Sequence, residues 1–436
     1  MSRAADFADT LETRPVRGFQ LAVVALVASA LVIDGLDYQV LALVAPLILS
    51  DWGNSPGDFG IAMAAALFGM AFGAAAGGWI GDHIGRRKAL VAAVMLFGIA
   101  TMAASRAETV AALAILRVAG GLGFGAAGPN AIALATEWLP LRLRTYVVAL
   151  LAVGTPAGGM IGAAILPVLL PGFGWRGVFG LLGLTAVLLG LVLLLALRES
   201  PAWLLRREGT ESARPPQPGS VPMPEPDDEV RESRGRERLF TARHARLNIG
   251  ISLGFAALTA VVYGLGSWMP ALLTAVGLSL DQALRASLGL NACSILGALA
   301  AGWLARAQGS RRVMLASALA AALLLAMFGL ALEAGAVRFV LYALAAGVGA
   351  AASIGVTTLY AMAALLYPPE IRSSGIGLGM TMGRIGGIAM SFAGGYLLDF
   401  AGGSAIVLFG VLALCALLAT SAGWLVRVHI PPGGAG

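Results

Sequence analysis

Asp34, Asp37, Arg117 and Arg384 each interrupt a run of apolar residues. An ionisable group in such surroundings is costly to keep, and its default reading is functional. Asp34 and Asp37 are three residues apart, which on a helix puts both carboxyls on one face, with Tyr38 and Leu41 continuing the stripe. At a rise of about 1.5 Å per residue, Asp34 falls near the midpoint of its apolar run and Asp37 roughly 5 Å farther along it. Arg117 belongs to a run of opposite direction and falls roughly 10 Å outward of that run's midpoint, a depth compatible with the two acids. Arg384 falls close to the midpoint of a run far along the chain.

These residue types suit a coupled binding site for an anion and a proton. A guanidinium is a planar fork that takes a carboxylate through two parallel hydrogen bonds, so Arg384 is the candidate clamp for an organic acid. A buried carboxyl without a fixed counter-charge takes up and releases a proton near neutral pH. Asp34 and Asp37 are therefore candidate proton carriers, with Arg117 or the bound anion competing for them, and Arg117 is a second candidate for binding the substrate. The same residues also allow a standing Asp37–Arg117 ion pair that only joins two helices, and an Arg384 that snorkels to a membrane surface. Tyr38, Tyr263, Tyr360, Asn130 and Asn291 are the aromatic and polar candidates for the rest of a cavity, where rings stack and hydroxyls or amides read substituents. The two asparagines serve equally well as interhelical hydrogen-bonding groups. Trp268, close to the end of its run, is expected to anchor at a membrane interface.

The elements that must position these groups follow from composition. The 436 residues are 58% hydrophobic and 12% charged, about half the charge of an ordinary soluble domain. Apolar runs of roughly 20 residues, each enough for a hydrocarbon core of about 30 Å, recur near 18–49, 59–81, 88–105, 110–137, 145–170 and 175–198. A second set follows near 247–276, 284–305, 312–333, 336–366, 373–398 and 403–427. The expected architecture is an all-α membrane protein of twelve transmembrane helices in two six-helix bundles, 18–198 and 247–427. A short arm (1–17), a tail (428–436) and a linker (199–246) rich in Pro, Glu and Arg complete it; the linker's composition cannot bury a core. No cleavable signal peptide is evident, because the first apolar run is too long for one.

Short loops on the side of the two termini carry most of the basic residues, against only Arg106, Arg176, Arg285 and Arg338 on the other side. Both termini are therefore expected in the cytoplasm. Scattered basic residues in short loops do not make a nucleic-acid face, although the net charge of +6 suits anionic lipid. Cys293 and Cys415 lie in apolar stretches as packing residues. The 59 glycines let helices approach closely.

The sequence also repeats itself. Gly78-Trp79-Ile80-Gly81-Asp82-His83-Ile84-Gly85-Arg86-Arg87-Lys88 follows the second span, and Gly302-Trp303-Leu304-Ala305-Arg306-Ala307-Gln308-Gly309-Ser310-Arg311-Arg312 follows the eighth. Pro140-x-x-x-Arg144 after span four matches Pro368-x-x-x-Arg372 after span ten. Duplicated halves place a substrate near the bilayer midplane between them, with rocking of one half against the other giving alternating access. Gly78-x-x-x-Asp82-x-x-Gly85-Arg86-Arg87 resembles the loop between helices two and three of the major facilitator superfamily, with His83 where a basic residue is usual. Leu116-Arg117-x-x-x-Gly121-x-Gly123-x-Gly125 resembles that superfamily's fourth-helix motif, and Glu137-x-x-Pro140-x-x-x-Arg144 and Glu199-Ser200-Pro201 its loop patterns.

Asp34-Gly35-Leu36-Asp37, Arg384-Ile385-Gly386-Gly387 and Ser267-Trp268-Met269-Pro270 resemble the aromatic acid:proton symporter family within that superfamily. The resemblance implies uptake of benzoate-type acids with protons through a bacterial inner membrane; a monomer with no cofactor beyond the proton gradient is expected. It also implies that Asp82, Arg86, Glu137, Arg142 and Arg144 lock the cytoplasmic side while the carrier faces outward. Asp82 is expected at the N-terminus of span eleven, where the helix dipole favours an anion. In the second half Arg306 and Leu365 replace the equivalent acids, which weakens any mirrored lock. Other organic-anion symporters share part of these patterns. A drug:proton antiporter is the rival within the fold, since Gly154-Thr155-Pro156-Ala157-Gly158-Gly159 loosely resembles the antiporter motif without keeping its order. An enzyme is disfavoured: no His/Cys cluster and no nucleotide-binding loop is present, and His83, His244 and His429 lie at membrane edges or in loops.

Overall fold

The computed structural model describes residues 18–204, 241, 244–368, 371–402 and 404–426. The proposed arm, most of the linker and the tail lie outside the described residues. The elements are α1 (Gly18–Trp52), α2 (Pro56–Ile84), α3 (Arg86–Ala104), α4 (Val110–Glu137), α5 (Leu141–Ala152) and α6 (Gly154–Ala196), then α7 (Ala245–Ala275), α8 (Leu280–Gln308), α9 (Ser310–Glu333), α10 (Arg338–Leu366), α11 (Arg372–Phe400) and α12 (Ala405–Leu425). At 43 residues α6 is about twice what a bilayer needs. It breaks at Gly174, whose φ of 60° leaves helical space. The fifth crossing is thus α5 with the first stretch of α6, and the sixth is the stretch beyond Gly174. Trp175 and Arg176, just past the break, both donate to Asp51 Oδ2 at the end of α1, at 3.2 and 2.6 Å. Twelve crossings in two bundles of six result.

The repeat read in the sequence has a conformational counterpart. Gly85 between α2 and α3 has φ 107° and ψ 145°, and Gly309 between α8 and α9 has φ 87° and ψ 141°. Each N–H returns to the carbonyl four residues back, Gly81 or Ala305. A residue with a Cβ is strained at such a φ, so both halves turn this corner on a glycine.

Glycine also sets how closely α1 lies on α6. A Cβ on Gly35 would stand 2.3 Å from the Thr155 carbonyl oxygen, and one on Gly158 would stand 2.2 Å from that of Val32. The two backbones are in contact, as the glycines of Gly154-Thr155-Pro156-Ala157-Gly158-Gly159 require. Gly158→Ala is expected to lower stability by about 1–3 kcal/mol, the cost of overpacking a contact that cannot yield. A thermal unfolding midpoint in detergent equal to wild type would refute this.

The apolar core shows how the halves meet. At the end of the molecule away from the termini, one continuous cluster takes in Leu43, Ile48, Phe59 and Phe179 from the first half and Trp268, Leu272, Leu284 and Phe328 from the second. Towards the terminal end the core divides. One cluster (Val23, Leu90, Leu134, Leu193) belongs to the first half and another (Ile251, Phe255, Met314, Leu359) to the second. The halves are therefore fused at the far end and separate at the terminal end.

Candidate functional site

On α1 the two acids have different surroundings. Asp37 receives Arg117 Nη1 at 2.8 Å on Oδ2 and Nη2 at 3.3 Å on Oδ1. Thr101 of α3 closes the ring, donating to Asp37 Oδ1 at 2.9 Å and accepting from Arg117 Nη2 at 3.1 Å. The Phe179 ring lies 5.1 Å from the guanidinium carbon. Asp37 and Arg117 are 6% and 1% exposed. The expectation that Arg117 binds substrate is corrected here: both of its terminal nitrogens are committed to Asp37 and Thr101, within one half. Asp34, one helical turn away, is 0% exposed, and neither carboxyl oxygen has a hydrogen-bond partner. A buried ion without a partner is strongly disfavoured, and Asp34, unlike Asp37, has no counter-charge in contact among the described residues.

The facing wall belongs to α7, α10 and α11. The Tyr38 ring meets the Tyr263 ring edge-on at 5.7 Å, across the boundary between the halves. Its hydroxyl is buried beside Ser267 and Ser391, whose hydroxyls are 3.1 Å apart. Half-buried Arg384 lies among Tyr263 and Tyr360, and no carboxylate pairs with it among the described residues. Tyr360 is 40% exposed and stands edge-on to Phe255 at 4.7 Å. A recess of about 590 Å³ lies on the terminal side of this wall, lined by Asn248, Ser252, Ala256, Leu378 and Met382 among others. That volume is in the usual range of small-molecule sites.

Three further expectations are corrected by the packing. Asn130 is 0% exposed and donates to the Gly77 and Ala126 carbonyls at 2.8 Å; it joins α2 to α4. Asn291 exchanges two hydrogen bonds with Gln39, at 2.9 and 3.0 Å, and joins the halves. Trp268 is not an interfacial anchor. It is 0% exposed, lies against Gly394 and Gly395, and donates to the Ser391 carbonyl at 2.8 Å.

The terminal-end residues form a network inside the first half. Arg86 bonds Asp82 at 2.5 Å and approaches Glu137 at 4.0 Å. Glu137 accepts from the Ser200 hydroxyl, and Glu199 accepts from the Arg87 backbone at 2.9 Å. Arg144 caps the Leu139 carbonyl at 3.1 Å, and Arg142 is exposed. Asp82 turns to Arg86, and among the described residues no bond joins it to the start of α11, where it was expected. Sequence reasoning missed Gln39, Thr101, Phe179 and Asp399. Gln39 alone carried a signal, as an uncharged polar residue beside the acid pair in an apolar run.

An α-helical bundle of twelve crossings, split at one end around buried charge, defines a membrane carrier. The chain matches the profile of the Major Facilitator Superfamily over residues 27–307 and 287–435, and it belongs to that superfamily: a transporter and not an enzyme. It is 30% identical to the benzoate transport protein of Acinetobacter baylyi, over 89% of this chain and 85% of the relative. It is 32% identical to the 4-hydroxybenzoate transporter PcaK of Pseudomonas aeruginosa, over 87% and 86%. It is also 29% identical to the gallate transporter of Pseudomonas putida, over 98% and 97%. In fold it is similar to a D-xylose-proton symporter, with a TM-score of 0.77, 17% identity, and coverage of 93% of this chain and 98% of that one.

Proposed function

We propose that this protein imports a benzoate-type aromatic carboxylate together with protons across a bacterial inner membrane, with both termini in the cytoplasm. The observation that carries the reading is a cation among tyrosines, Arg384, and a buried acid on the opposing half, Asp34, neither of which has a counter-charge among the described residues. The carboxylate would satisfy the guanidinium bidentately, and Tyr263 and Tyr360 would contact the ring. Asp34 would carry the proton. Asp37 would gate that transfer by keeping or releasing Arg117. The names of the relatives support an aromatic acid, and the clustering of basic residues on the terminal side supports the orientation.

The reading is tested with labelled 4-hydroxybenzoate in proteoliposomes, with and without an inward proton gradient, challenged by protocatechuate, gallate, vanillate, muconate and shikimate. Gradient-driven accumulation blocked by the aromatic acids and not by muconate or shikimate is expected. Extrusion would favour an antiporter, and equal block by the non-aromatic acids would remove the ring requirement. Asp34→Asn is expected to abolish accumulation above equilibrium, at least tenfold below wild type, while downhill exchange of substrate persists. Wild-type accumulation in this variant would end the proton role of Asp34.

A further inference from the structure

The far end of the molecule closes on contacts whose chemistry suits breaking and remaking. Deepest is the pair Gln39–Asn291, two primary amides that each donate to and accept from the other across the halves. Gly159 makes the space, since a Cβ there would stand 2.0 Å from Gln39 Nε2. At the outer surface, Asp399 near the end of α11 accepts the Gly57 N–H at the start of α2, at 2.8 Å. A carboxylate at that position also meets the positive end of the helix dipole. Two close backbone approaches flank it: a Cβ on Gly395 would stand 2.1 Å from the Pro56 carbonyl oxygen, and one on Gly60 2.4 Å from that of Phe392. Both bonds use groups that water can satisfy when the halves part, so opening would strand no charge.

We infer that these two contacts are the far-side gate of the carrier: Gln39–Asn291 is its inner latch, Asp399 on Gly57 its outer latch, and both break each time the substrate site turns to that side. This rests on the transport reading above. It also reassigns Asn291 from substrate binding to positioning the halves. Asp399 is exposed, so it can be changed without disturbing a core. Gly57 supplies an independent route to the same latch, because a Cβ there would stand 2.4 Å from Asp399 Oδ2 and expel the carboxylate.

The test places a cysteine at Ser287, which is 4% exposed and one turn from Asn291, in a background with Cys293→Ala and Cys415→Ala. A membrane-impermeant maleimide is applied to the far side. Asp399→Ala and Gly57→Ala are each expected to raise the labelling rate roughly tenfold, the equilibrium change of one charge-assisted hydrogen bond. The two together are expected to do no more than either alone. Gln39→Leu with Asn291→Leu, which leaves neither amide orphaned, is expected to act likewise, with an unfolding midpoint within a few degrees of the parent. If 4-hydroxybenzoate alters labelling of the parent but no latch variant does, the latches are overturned and the transport reading stands. If Ser287→Cys is never labelled in any background, with or without substrate and gradient, the far side does not open and both readings fall.

Discussion

Arg117→Gln is expected to destabilise the folded protein by about 3–5 kcal/mol, because it leaves Asp37 as a buried anion held only by Thr101. Asp37→Asn is expected to act comparably by stranding the guanidinium. The double variant Asp37→Asn/Arg117→Gln leaves two neutral amides at hydrogen-bonding distance and is expected to regain most of the lost stability. It is not expected to regain proton-driven uptake. Unfolding midpoints in detergent and uptake in proteoliposomes read the two consequences separately. A double variant that transports at the wild-type rate would show the pair to be a bracket between α1 and α4 and nothing more. Single variants with unaltered midpoints would contradict the bidentate geometry itself.

Arg384→Ala is expected to weaken binding of an aromatic carboxylate roughly 100-fold, the loss of a bidentate charge-assisted contact in a partly desolvated site. Arg384→Lys keeps the charge but not the fork, and is expected to lose roughly tenfold. Equilibrium binding of labelled 4-hydroxybenzoate in detergent checks both. The order of the two effects is diagnostic: equal losses would mean that only charge matters, and no loss in either would remove Arg384 from the site. Because Arg384 has no carboxylate partner to strand among the described residues, neither change is expected to lower the unfolding midpoint by more than about 1 kcal/mol.

What the sequence made legible was charge. Asp37 and Arg117 were placed at compatible depths by counting helical rise, and they meet. Arg384 was placed mid-span by the same count, and it lies among two of the tyrosines proposed beside it. Hydrogen-bonding groups without charge were not legible in this way. Asn130 and Asn291 have the same side chain in similar apolar settings, yet one binds a backbone carbonyl of its own half and the other an amide of the opposite half. The difference lies in Gly77 and Gln39, remote in sequence. Trp268 was misplaced for a related reason: position along a span suggests an interface, whereas Gly394 and Gly395 open the slot that buries it. Asp399 drew no reading from the sequence, because its partner is the backbone N–H of Gly57 at the start of α2, remote in the chain. Asp82 shows a different limit, since its expected partner belongs to a state in which the terminal ends approach, and a sequence does not say which state a structure adopts.

The glycine seam between α1 and α6 carries a mechanical consequence. With main chain resting directly on main chain, there is no side-chain cushion to absorb a displacement of one rod relative to the other. If Asp34 carries the proton as proposed, any shift of α1 that accompanies it is delivered directly to the first stretch of α6, and α6 packs on α8. Acid chemistry in one half and the amide clasp to the other are thus joined by a stiff lever, a few helical turns long, and slack introduced into that lever would uncouple proton flow from cargo movement without touching either binding site.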